Sequence, residues 1–70
     1  MWKRMTRQEK ERHALQVELN TAMQALHANE AAFGEAQDPL FIEQLTYQHA
    51  ALMCRCRALL RALRVGGADP

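Results

Sequence analysis

The sequence predicts an all-α fold: a two-helix antiparallel hairpin, two copies of which pair into a four-helix bundle. Three observations predict it. Two long segments, about 6–33 and 39–64, are rich in strong helix formers and repeat their apolar residues at steps of three and four. Between them lies a short stretch with Gly34, Asp38 and Pro39, residue types that end one helix and begin another. β-branched residues are confined to Thr6, Val17, Thr21, Ile42, Thr46 and Val65, too few to build strands. The 70 residues are read as a single helical-hairpin domain, 1–70, with a frayed tail over 65–70.

The first helix starts at Thr6, an N-cap residue with Glu9 three positions later, the spacing of a capping box. Leu15, Leu19, Ala22, Leu26, Asn29 and Phe33 then mark one helical face. Asn29 interrupts that apolar seam. A polar seam residue either fixes register at some cost in stability or lies at the seam's edge, and the spacing leaves both open. Gly34 follows the last periodic residue, where a left-handed C′ glycine is expected to stop the helix.

The second helix starts at Asp38-Pro39. Asp accepts a hydrogen bond from a free first-turn amide, and proline at the first helical position sacrifices none. Proline also pushes the preceding residue out of the α region, which separates the helices. Ile42, Leu45, His49, Leu52, Cys56, Leu59 and Leu63 form an unbroken seam, the expected core and dimer residues. Phe41, Met53 and Leu60 widen it beyond what one partner helix covers, so a homodimer is expected. The short connection forces the helices antiparallel, with Leu15 near Leu59 and Phe33 near Phe41 and Ile42.

So short a chain buries a limited core and needs reinforcement from disulfides, a metal or self-association. The two cysteines, Cys54 and Cys56, are too close in sequence for a disulfide framework, so self-association leads. No apolar run is long enough to span a bilayer, and Met1–Arg7 is basic but leads into charged residues, unlike a secretory signal. A cytoplasmic location with reduced cysteines, and no membrane partner, is expected.

The net charge of +1 conceals an uneven distribution. Lys3, Arg4, Arg7, Lys10 and Arg12 form one basic block, and Arg55, Arg57, Arg61 and Arg64 the other. Between His13 and Cys54 the only charged residues are Glu18, Glu30, Glu35, Asp38 and Glu43. A hairpin brings the basic blocks together at its open end. One reading is that Arg55, Arg57, Arg61 and Arg64 complement the negative end of the second helix dipole, as Asp38 and Glu43 complement its positive end. The other is that they attract a nucleic acid, an acidic protein or anionic lipid, although no nucleic-acid-reading module is recognisable.

Catalytic or metal chemistry has little support. Residues two apart on a helix point about 200° from each other, so Cys54 and Cys56 do not grip one tetrahedral zinc. Cys56 reads as a small core residue. His49 and Cys56 share a face but lie about 10 Å apart, too far for a nucleophile–base hydrogen bond. His49 reads instead as a partly buried histidine against the opposite helix or a second chain. His13 and His27 are isolated, and no Ser–His–Asp set, phosphate loop or HExxH occurs. No catalytic residue, metal ligand or cofactor is therefore expected.

Phe33, Asp38, Pro39, Ile42, Glu43, Tyr47, Ala51, Arg55, Leu59, Leu60, Arg61 and Arg64 follow an ungapped pattern: aromatic, Asp-Pro-x-x-Ile-acid, Tyr, Ala, Arg, and a closing Leu-Leu with basic residues. In this the C-terminal half, residues 33–64, resembles the YaaL-like family of short bacterial helical proteins of unknown function. The chain departs from that pattern at Gln48, usually acidic, and at Cys56, usually aromatic. The resemblance implies a helical fold and no activity, and it adds Tyr47 to Arg55, Arg57, Arg61 and Arg64 as the expected partner-binding set. The Asp-Pro start also resembles the sporulation aspartyl-phosphatase peptides, whose motif is Ser-x-x-x-Asp on the second helix. Here Gln44–Ala51 carries no carboxylate one turn beyond a Ser or Thr, so the residue that chemistry needs is missing.

Overall fold

The computed structural model describes residues 4–67, which form two helices, α1 (Arg7–Glu35) and α2 (Pro39–Gly67), joined by residues 36–38. Lys3 and the end of the expected tail, 68–70, lie outside the described residues. Each helix has 29 residues, about 43 Å at 1.5 Å per residue. Two helices of equal length joined by so short a link run antiparallel as a hairpin.

The start of α1 is the expected capping box. Thr6 is extended (φ −70°, ψ 166°), its Oγ1 accepts from the Glu9 amide at 3.1 Å, and Glu9 Oε1 accepts from the Thr6 amide at 2.8 Å. Hydrogen bonding to the carboxylate, from the Thr6 amide first and the Thr6 hydroxyl second, holds the Glu9 carboxyl below its ordinary pKa. A carboxyl lowered on folding contributes stability above its unfolded pKa. That contribution is lost as pH falls through the lowered folded value.

The end of α1 departs from expectation. Gly34 is helical, not a left-handed terminator, and no described residue has positive φ. The helix runs on until Asp38-Pro39 blocks it, and Ala36 leaves it in extended conformation (φ −74°, ψ 137°). The Ala36 amide satisfies the last turn by donating to Ala32 O at 3.0 Å and Phe33 O at 3.4 Å. A Cβ added at Gly34 would meet nothing within 4 Å. Gly34→Ala should therefore raise stability by about 0.5–1 kcal/mol, read by thermal melting. A fall in stability would mean that the glycine is needed in its left-handed form after all.

At the start of α2, Asp38 Oδ1 accepts from the Leu40 amide at 3.2 Å and Asp38 O from the Ile42 amide at 2.9 Å, as a cap residue before Pro39 should. The far end differs from the sequence reading. The helix does not fray at 65 but continues through Gly67. Glycine costs only about 1 kcal/mol in a helix, and the sequence holds no proline between Pro39 and Pro70. The last turns are also tied down, because Arg12 Nη1 donates to Leu63 O at 2.8 Å.

Every seam position named from the sequence is buried or half-buried. Leu19, Ala22, Cys56, Leu59 and Leu63 form one cluster, with Leu15 and Leu26 packed against it. Leu15 and Leu59 thus share a cluster as expected. Leu45 and Asn29 are buried nearer the loop. Phe33 makes its aromatic contact with His49, edge-on at 6.4 Å and 82°. Side chains lean toward their helix N-terminus, so in an antiparallel pair these two tilt toward a common level. The hairpin measures 53 × 28 × 13 Å, one helix thick in its shortest direction. A single layer does not enclose a core, and no described side chain is completely buried.

Candidate interaction surfaces

The seam of α2 is consumed within the hairpin. Ile42, Leu45, His49, Leu52, Cys56, Leu59 and Leu63 are its least exposed positions together with Met53, and they face α1. His49 Nε2 lies 3.5 Å from Glu30 Oε2 and its ring abuts Phe33, so it is a half-buried histidine against the opposite helix. No nucleophile stands beside it, because Cys56 is two turns further on. Cys54 is exposed and Cys56 buried, on opposite sides of α2, and no three His, Cys, Asp or Glu side chains converge among the described residues.

Asn29 lies in the seam itself, at 5% exposure. Its Nδ2 donates to Leu45 O at 3.0 Å and to Gln48 Oε1 at 3.4 Å, while Oδ1 is buried without a partner. The edge reading is thereby excluded. Because the three-residue link already holds the helices in register, the amide adds a cross-link more than a choice of register.

The basic end is less uniform than its sequence blocks suggest. Arg55 Nη2 reaches across to Glu18 Oε2 at 3.0 Å, an ion pair not anticipated from the sequence. It sits on the flank of the seam, where antiparallel register brings 18 and 55 level. Arg7 pairs with Glu11 one turn on, at 3.6 Å, and Arg12 is engaged with Leu63 O. Only Arg64 falls in the last turn of α2, and no acidic residue falls in the first. The macrodipole acts over about one turn, so it accounts for Arg64 and the Asp38 cap but not for Arg57, Arg61 or Glu43. Arg57 and Arg61 have no ion-pair partner among the described residues. Both border a shallow depression on α2 with Cys54 and Ala58. A larger open groove lies between the two helices at the open end, bordered by Gln8, Glu9, Glu11, Arg12 and Leu15 of α1 and by Ala58, Arg61, Ala62 and Val65 of α2.

The most exposed large apolar side chains were not singled out as a set by the sequence. Leu40 (75%), Tyr47 (70%) and Val65 (68%) all belong to α2. At about 100° per residue they fall on the side turned away from α1, in line with Ala51, Cys54 and Ala58. Phe41 and Leu60, expected to widen the seam, are partly open at 42% and 47%, and Met53 is half-buried. The signal was present as a second run, 40, 44, 47, 51, 54, 58, 61, 65, at steps of four and three. No helix is long and apolar enough to cross a membrane among the described residues. Comparison with known proteins found no matching family model, no matching curated protein and no matching solved structure.

Proposed function

We propose that the chain is a non-enzymatic helical interaction module that works in the cytoplasm as a homodimer, two hairpins contributing four helices. One observation carries this reading: Leu40, Tyr47 and Val65 stand exposed on the outer side of α2. Exposed apolar side chains in a line along a helix are the usual mark of a missing partner helix. The resemblance of residues 33–64 to the YaaL-like family is compatible with this reading. The test is thermal melting followed by circular dichroism. Because association stabilises the folded state by mass action, the midpoint should rise with protein concentration. A midpoint independent of concentration would overturn the homodimer.

A second reading is a nucleic-acid-associated accessory protein using the basic end. It is favoured by Arg57 and Arg61, which neither the dipole nor a described acid accounts for. It requires an affinity for DNA or RNA whose logarithm falls linearly with the logarithm of salt.

A further inference from the structure

We infer that the homodimer forms through the outward side of α2, which packs antiparallel against the same side of a second copy's α2. The inference rests on the interaction-module reading above and adds the face, the direction and the register.

The face follows from what is left uncovered. Leu40 and Tyr47 project near the loop end of α2. Toward the open end the same line passes over Ala51, Cys54 and Ala58, small side chains, and the shallow depression bordered by Cys54 and Ala58 lies there. Exposed Leu40 and Tyr47 at one end, with Val65 and the depression beside Ala58 at the other, suit a two-fold arrangement. Each copy then supplies the knobs and receives its partner's. Setting Leu40 against Val65 of the second copy also sets Tyr47 against Ala58 and Ala51 against Cys54. The register that seats one pair therefore seats all of them. Small residues along the contact let the two helices approach closely.

The direction follows from charge. Glu43 is the only acidic residue of α2, and Arg57, Arg61 and Arg64 all lie toward its other end. Glu43 and Arg61 are 18 residues apart, five full turns, so they flank the outward stripe on the same side. In the antiparallel register Glu43 lies level with the second copy's Arg61 and Arg64, and the two-fold axis makes the pairing twice. A parallel arrangement would put Glu43 against Glu43 and arginine against arginine. The resulting assembly is a row of four helices with the α2 pair inside and the α1 helices outside. Arg61, unexplained by the helix dipole, acquires a role at its rim.

The register also places Cys54 beside the two-fold axis. The two copies of Cys54 are offset by three residues, about 4.5 Å along the helices. A short bismaleimide applied to the purified chain tests this, with sedimentation run alongside. The expected result is a covalent dimer whose linkage maps to Cys54 on both chains, and its absence in Cys54→Ser. Cys54 is exposed in the hairpin, so that control keeps the fold. Charge exchange supplies the second arm. Glu43→Arg should weaken dimerisation about tenfold, since two exposed pairs turn repulsive. Adding Arg61→Glu and Arg64→Glu to it should restore the affinity. A dimer in sedimentation that neither cross-links at Cys54 nor responds to the exchange would overturn this face while leaving self-association intact. A chain that sediments as a monomer would overturn both.

Discussion

Leu59→Asp should abolish the helical fold at every protein concentration. Leu59 is 8% exposed in the cluster that joins Leu19 and Ala22 of α1 to Cys56 and Leu63 of α2. A carboxylate there would be buried without a partner, and no nearby cation on the seam offers one. Even the milder Leu59→Ala should cost about 2–5 kcal/mol through lost burial and the cavity left behind. A domain of this size holds roughly 4–10 kcal/mol in all, at about 0.05–0.15 kcal/mol per residue. Circular dichroism at low and high concentration reads both variants. Full helicity in Leu59→Asp would show that the α1–α2 contact is not what holds the helices.

Asn29→Leu should raise the melting temperature. The substitution removes a buried Oδ1 that has no partner, a penalty of about 1–3 kcal/mol, and gives up hydrogen bonds worth about 1 kcal/mol each. The Leu45 carbonyl that Asn29 bonds belongs to a helix and keeps its own helical donor, so nothing is orphaned by the change. A leucine also adds apolar contact to the neighbouring Leu26 and Leu45 positions. A gain of about 1 kcal/mol corresponds to a rise of about 4–8 °C for a domain of this length. A lower midpoint would mean that the Asn29 cross-link contributes more than its unpaired oxygen costs.

The pairing of the two helices was legible because the seams obey one rule throughout. Each position from Leu15 to Phe33 and from Ile42 to Leu63 in the three-and-four pattern turned out buried or half-buried. The caps were legible for the same reason: Thr6 with Glu9, and Asp38 with Pro39, are local interactions that depend on nothing distant. Gly34 misled because a glycine after a periodic run marks a helix end only if the chain has reason to turn there. Here the obstacle is Pro39, and the helix extends toward it as far as sterics permit. The last turns of α2 misled for a tertiary reason, since Arg12 reaches Leu63 O from the opposite helix.

The candidate surface was legible only in part. Charge order along the chain suggested a basic open end, but the Glu18–Arg55 pair depends on which flanks of the two helices meet. The outward stripe of α2 is written in the sequence as plainly as the seam. It was masked because Ile42, Leu45, Leu52, Leu59 and Leu63 are a stronger apolar set than Leu40, Tyr47 and Val65 among alanines. Exposure decides between the two runs, and exposure is known only once α1 is in place.

The most direct measurement of the central claim, a helical hairpin completed by a second copy, is sedimentation equilibrium of the unmodified chain at several concentrations. The expected mass approaches twice the 8.0 kDa of the chain and falls toward the monomer on dilution, with helicity falling alongside. A mass of one chain at all concentrations, with helicity unchanged, would contradict it.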